Sequence, residues 1–541
     1  MQQTKLNHSY VNRILYSTQF RSLQDKTQLF FPSQEQRVRT RLTHTLEVRT
    51  IAHEIACRLN EKIEKHNANI SKDEETWEIL PVDVELVDVI AYAHDIGHTP
   101  FGHVGERTID GVVSGKDTLG GLLQHSGDPS MRFKHNSNAL RILVDLDVRD
   151  WRIIEGALSH TGIFYGSDDT QYKVNPFHPY AKKEYKELTD FVFRLNDVDF
   201  GSKSKKKPSS LTLEGQIVAI ADEIAQRAAD LGDAKVKARY LENIEGKFRS
   251  YLKGRDYRIE DSKNPYYRLE WIIFTTMTED VVENSFENLK KLKPIEVKFK
   301  GVVHAAYTKK VVAFTPDVKN DDGELVEQRM EGINENLEDF VTAYSAQSEE
   351  VRESDSRAKY IIRQLYKAYI NDVTLLPDVF IEDHLRSITK TNGHRFEDVW
   401  FRLNAVRATA SQAVIDAEKA VQNAEKTCLE LENQLKNAEI ALKAAEERVN
   451  AFAEIRDKKW HVDSDLTRIV SKKGTKILRM GAIKDYFGVL KTNNEHGKKY
   501  AGDPNVAWLF DAFVLDVGFY IAGMTNTEAF DAYNKIYGHT L

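Results

Sequence analysis

The sequence predicts a mainly α-helical body interrupted by one long inserted helix. Three observations carry that expectation. Apolar residues recur at helical spacing in the two stretches that hold the most suggestive histidines and aspartates. These are Leu86, Val87, Ile90 and Ala93 before His94, and Val218, Ile220, Ala221 and Ala225 around Asp222. From Val414 and Ala417 through Leu431, Leu435 and Leu442 to Phe452, apolar residues alternate at spacings of three and four with no Gly or Pro. Strand character is confined to one stretch, Val297 to Phe314, which is rich in β-branched and basic residues.

Taken in order, a first helix is expected from Asn7 to about Leu23, then a turn. Arg21, Lys26 and Gln28 around that turn can face a phosphate or a sugar. A helix from about Thr40 to Lys62 carries Arg41 and His44. The next spans Val84 to Ala93, and Gly97 and Pro100 end it and turn the chain. Residues 104–165 read as mostly helical. Glu106 lies near one helix start, and Lys134-His135-Asn136 opens another with Leu140, Ile142 and Leu143 on its core side. His160 follows as a weaker candidate for substrate lining. Residues 166–210 read as irregular, with a solvated lysine loop at Lys203 to Lys207. A helix beginning near Leu213 carries Asp222, Gln226 and Asp230. From 240 to 400 helices return, broken by a strand pair within Val297–Phe314 and a loop from Pro316 to Glu324. The helix from 414 to 452 would be roughly 58 Å long, and irregular structure follows at 456–510.

His94, Asp95, His98 and His103 fall within a single short run. His94 follows Ile90 by one helical turn and so shares its buried face. A His-Asp pair at a buried helix end, followed by a Gly/Pro turn with more histidines, suits a hard or borderline divalent metal. Satisfied core groups are the alternative, but they must account for four polar groups at once. His44 upstream and Asp222 downstream supply two further ligands. An unpaired Asp222 among apolar neighbours would be costly. The quartet His44, His94, Asp95 and Asp222 offers two imidazoles, two carboxylates and no thiolate, which favours Mn²⁺ or Mg²⁺. Glu106, three residues after His103, is placed to orient that imidazole for proton transfer. His135, at a helix N-terminus, can meet phosphate oxygens.

These words, in this order, resemble the deoxyguanosinetriphosphate triphosphohydrolase family of the HD phosphohydrolase superfamily. The resemblance rests on Arg41-Leu-Thr-His44, the His94–Glu106 run, Leu213-Glu-Gly-Gln to Asp230, and Phe20 to Phe30. It extends to Arg357–Arg363 with Leu375–Asp378, and to Tyr520–Thr525 near the end. It implies an HD-domain helical enzyme body over residues 1–400, with its HD core at about 36–235, completed by helices at 505–541. It also implies a dNTP triphosphohydrolase, attacking dGTP or a broader range of dNTPs to release the deoxynucleoside and inorganic triphosphate. His103, Glu106 and His135 would then be the catalytic groups. Gln28 would lie beside the sugar, Arg41 and His98 would contact substrate, and Asp230 would accept a hydrogen bond from the 3′-hydroxyl. Gln226 occupies a place where the family often has a sugar-facing Tyr, which points to altered sugar or base discrimination. The resemblance further implies a homo-oligomer. Two other readings stay open: another HD phosphohydrolase, such as a nucleotidase or cyclic-nucleotide phosphodiesterase, and an HD-containing nucleotide-sensing or nucleic-acid-binding scaffold.

The 541 residues exceed one ordinary core. The surplus is placed in a coiled-coil-like insertion at 402–457, whose long helix is assigned to assembly or partner binding, and an irregular one at 458–504. A net charge of −7 gives no reason to expect nonspecific nucleic-acid binding, although a nucleic acid remains admissible as a regulator. No run of eighteen apolar residues and no signal-like N-terminus are present, so a cytoplasmic protein with no membrane association is expected. Two cysteines allow no disulfide framework.

Overall fold

The computed structural model describes residues 2–27, 39–70, 77–123, 132–161, 187–188, 191–192, 210–233, 265–300, 302–320, 323–347, 349–372, 375–377, 379–380 and 504–538. The insertions expected at 402–457 and 458–504 lie outside them, as does Gln28. The chain divides into two compact units, Met1–Lys367 with Val514–Leu541, and Ala368–Phe513. The elements that position the candidate site belong to the first.

Helix α1 covers Gln2–Leu15 and α2 Thr18–Ser22, followed by a 3₁₀ turn at Leu23–Asp25. The single helix expected here is thus divided. Ser17 breaks it by capping α2, its hydroxyl accepting from Phe20 N at 3.1 Å. Helix α3, Arg41–Ala68, begins as expected but runs further than Lys62. Thr40 and Thr43 form a reciprocal cap at its start, and its buried stripe runs His44, Val48, Ile51, Ile55, Leu59 and Ile63. Helix α4 is Val84–Ala93, capped by the Asp83 side chain. Helices α5 (Gly102–Val113), α6 (His135–Asp145), α7 (Trp151–Ser159) and α8 (Leu213–Asp233) complete the centre. Helix α3 packs against α4 and α8, α4 also meets α7 and α8, and α6 lies on α7. Helix α9, Pro265–Leu289, covers α3 and α8 from outside. Helices α3, α4, α6, α7, α8 and α9 share one continuous apolar core.

Strand structure is present, but arranged differently from the expectation. Strands β1 (Ile295–Phe299) and β2 (Val302–Ala306) form a tight antiparallel hairpin. Val311 to Phe314 is no strand. The backbone N–H groups of Val311 and Val312 instead donate to Gln216 Oε1 on α8, at 2.8 and 3.2 Å. A side-chain amide thus replaces a ladder partner. The expected loop at 316–324 contains β3, Val318–Lys319, which pairs with β4, Leu325–Glu327. Helices α10 (Met330–Gln347), α11 (Glu349–Asn371), α12 (Pro504–Gly523) and α13 (Asn526–Tyr537) follow.

Candidate active site

The turn after α4 is held from three sides. Gly97 lies against α6 so closely that an added Cβ would fall 2.1 Å from His135 O and 2.3 Å from Ala139 N. Asn138 Nδ2 donates to Gly97 O at 2.9 Å. Lys26, fully buried, donates from Nζ to His98 O at 2.6 Å and to Ala522 O at 3.0 Å. Burial, reinforced by Arg41, lowers the Lys26 ammonium to about 7. Phe101 adopts a left-handed conformation at φ 62, uncommon for a bulky side chain. Its N–H is taken by Asn526 Oδ1 at 2.8 Å, and Asn526 Nδ2 donates to Thr27 Oγ1 at 3.1 Å. The roles of Lys26 and Asn526 were missed by sequence reasoning. Only the capping pattern Thr525-Asn-Thr-Glu528 hinted that α13 starts at a fixed point.

Within this frame α3, α8, the end of α4 and the turn after it bring their polar groups together. His44 Nε2, from α3, donates to Asp222 Oδ1 of α8 at 2.8 Å. His94 caps the C-terminus of α4. Its Nδ1–H donates to Ala91 O at 2.7 Å, which leaves Nε2 as a lone pair with no protein partner, 3.9 Å from Asp222 Oδ1. Asp95 Oδ2 lies 3.8 Å from the same nitrogen and accepts from Arg41 Nη1 at 2.8 Å. His98 Nε2 is 3.3 Å from Asp95 Oδ1. The ligand atoms of His44, His94 and Asp222 all lie within 4.8 Å of one another, close enough to share one ion. Donors in adjacent positions around a small cation stand about 3 Å apart when bond lengths are near 2.1 Å; Asp95, the fourth expected ligand, falls outside this group of three and stands 3.8 Å from the His94 nitrogen. The donor set and the partnerless His94 nitrogen fit a divalent cation.

Electrostatics favour the ionised carboxylates. Burial opposes the charge on Asp95, but Arg41 and the surrounding histidines outweigh it and hold the carboxyl well below its ordinary range. Desolvation likewise opposes Asp222, and the hydrogen bond from His44 and the nearby His94 and His160 rings pull it far down. Burial lowers His44, but Asp222 more than compensates and raises it. Burial and Arg41 push His98 well below the usual imidazole value, so that ring is neutral.

Glu106 departs from the expected pairing. It was assigned to His103, three residues earlier on the same helix. Its carboxylate turns instead to α6, where Oε2 accepts from His135 Nδ1 and from His135 N at 2.9 Å. His135 is the first residue of α6, where free backbone N–H groups and the helix dipole attract a carboxylate. His103 remains exposed at the edge, its ring 5.3 Å from that of His98. Gln226 lies one turn after Asp222 on α8, and Asp230 one turn further, its side chain outside the described residues.

Comparison with known proteins agrees with this architecture. The HD domain family profile matches residues 41–227, which run from Arg41 to Arg227 within α8. A deoxyguanosinetriphosphate triphosphohydrolase-like protein of Agrobacterium fabrum is 30% identical over 330 residues, covering 58% of this chain and 67% of that protein. The chain belongs to the deoxyguanosinetriphosphate triphosphohydrolase-like family. Proteins of the same description from Bartonella quintana (29% over 385 residues) and Bartonella tribocorum (27% over 394) match 68% and 70% of this chain. They are covered over 78% and 81% of their own lengths. HD domains bind divalent metals, and His and Asp clusters among the described residues of this triphosphohydrolase-like chain could hold one. Among its described residues, no helix is long and apolar enough to cross a membrane.

Proposed function

We propose that this protein hydrolyses deoxynucleoside triphosphates to the deoxynucleoside and inorganic triphosphate, with Mn²⁺ or Mg²⁺ at His44, His94, Asp95 and Asp222. The observation that carries this reading is the grouping of His44, His94 and Asp222, with Asp95 beside His94 and paired to Arg41, in a triphosphohydrolase-like chain. When bound, the cation supplies Lewis-acid polarisation of a phosphoryl oxygen. Arg41 supplies fixed positive charge. One of its nitrogens pairs with Asp95, while Nε and Nη2 are buried without protein partners, ready for phosphate oxygens. His103, at the exposed edge, takes or gives the proton at the attacking or leaving oxygen. Glu106 holds the His135 ring in place. Gln226, in place of an aromatic ring, offers the sugar an amide, which supports a broader nucleotide range than dGTP alone.

Incubation with each dNTP and NTP plus Mn²⁺, followed by ion-exchange separation of products, tests the reading. Deoxynucleoside and intact triphosphate are expected. Monophosphate or diphosphate products, or hydrolysis of cyclic nucleotides only, would assign the chain to another branch of the superfamily.

A further inference from the structure

Three consecutive residues, Asp25, Lys26 and Thr27, each bond the segment from Ala522 to Thr527. Asp25 Oδ2 accepts from Thr527 N at 3.0 Å. Lys26 Nζ donates to Ala522 O at 3.0 Å, and Thr27 Oγ1 accepts from Asn526 Nδ2 at 3.1 Å. The same short stretch sets the start of α3. Lys26 O accepts from Arg41 N at 2.8 Å, and Thr27 pairs with Thr40 as an isolated antiparallel bridge. Arg41, the first residue of α3, is therefore placed by residues 26 and 27 as well as by the cap of its own helix.

Asn526 is the member of this set that also reaches α5. It is buried, with 2% of its surface exposed, and its Oδ1 accepts from Phe101 N at 2.8 Å. A backbone N–H can only donate, so the amide oxygen must face Phe101 and the amide NH₂ must face Thr27. One planar side chain thus ties Thr27 to Phe101. Phe101 is the N-cap of α5, held left-handed at φ 62, and its ring lies 5.3 Å from that of Phe530 on α13. His103 follows two residues later on α5. We propose that Asn526 is a positioning residue, fixing the start of α3, which carries Arg41, relative to the start of α5, which carries His103. Neither of its two bonds goes to a metal ligand. His94 is fixed by Ala91 O, and His44 and Asp222 bond each other. The inference rests on the phosphate role of Arg41 and the proton role of His103.

The test compares full-length wild type, Asn526→Ala, Asn526→Asp and Tyr537→Phe. Triphosphate release with Mn²⁺, bound manganese and thermal melting are measured for each. Asn526→Ala should lower kcat by about 10²-fold, as a displacement near 1 Å does, and keep the wild-type manganese content. Asn526→Asp should recover most of the turnover, because a carboxylate can accept from both Phe101 N and the Thr27 hydroxyl. Tyr537→Phe removes the bond from the other end of α13 to Gln364 O. It should lower the melting temperature and leave kcat unchanged, which separates positioning from loss of stability. If Asn526→Ala misfolds, Thr27→Val removes one of the two bonds and should lower kcat in the same direction. Wild-type kcat in a folded Asn526→Ala or Thr27→Val, loss of manganese with the turnover, no recovery in Asn526→Asp, or an equal fall in Tyr537→Phe would overturn the proposal. If wild type releases no triphosphate from any dNTP, the proposed function fails, and calorimetric binding of inorganic triphosphate to the Mn²⁺-loaded protein decides the inference. Weaker binding to Asn526→Ala than to wild type supports it. Equal binding, or none to wild type, overturns it.

Discussion

Gly97→Ala tests whether the site is set by the spacing between the α4 turn and α6. The new methyl would stand 2.1 Å from His135 O, 2.3 Å from Ala139 N and 2.8 Å from Ala139 Cα. All three are backbone atoms, so no side-chain rotation relieves the overlap. Turn and helix must separate by roughly an ångström, at the ~1–3 kcal/mol typical of overpacking. The displaced groups are His98 on one side and His135 on the other, whose rings are stacked. A misplacement of about 1 Å commonly costs ~10²-fold in turnover. Thermal melting and triphosphate release are the measurements, with Gly111→Ala as control. There the nearest atom to an added Cβ is Asp117 Cβ at 3.8 Å, an ordinary contact. In the last turn of α5 that substitution should be neutral or stabilise by ~0.4–1 kcal/mol. Gly97→Ala with wild-type melting and turnover would show that the turn has slack and that its approach to α6 does not position the site.

Asp222→Asn and His94→Ala should each lower bound manganese, and full occupancy in both would remove them from the ligand set. His103→Ala should keep metal and lower kcat by ~10²–10⁴-fold. Glu106→Gln and His135→Ala should be non-additive with each other, while Glu106→Gln and His103→Ala should combine more independently. Lys26→Met offers a pH test. In the native state Lys26 titrates at about 7, below its ordinary 10.5, so between those values the unfolded chain binds the extra proton. Wild-type stability relative to Lys26→Met should therefore rise with pH across that window in urea titrations, and a flat difference would exclude a buried, depressed ammonium. Replacing 410–500 by a Gly/Ser linker should preserve metal content and change subunit association, read by light scattering against the 62.0 kDa chain mass.

What the sequence determined by itself is what local forces decide. Helix α4 ends at Ala93 because the apolar period runs out there and Gly97 and Pro100 cannot continue it, which places His94 and Asp95 at a helix end. Helix α3 starts at Arg41 because Thr40 and Thr43 cap each other. Spacings of three and four put His44 on the buried stripe of α3 and Asp222 among the apolar residues of α8. Tertiary structure decided every choice between partners distant in the chain. His103 lies three residues from Glu106, but the N-terminus of α6 offers that carboxylate a backbone N–H as well as an imidazole, and it goes there. Val311 and Val312 have strand-like side chains, but the Gln216 carbonyl takes their N–H groups before any strand can. Lys26 reads as a group facing a phosphate or a sugar, and becomes a buried clamp because the His98 carbonyl of the turn after α4 and the Ala522 carbonyl near the end of α12 arrive beside it. His160 reads from the sequence as a weaker candidate, for substrate lining. It meets the His94 ring, 5.2 Å away, only because α4 and α7 pack against each other, and no pattern along one chain records that two distant helices bring their C-caps together.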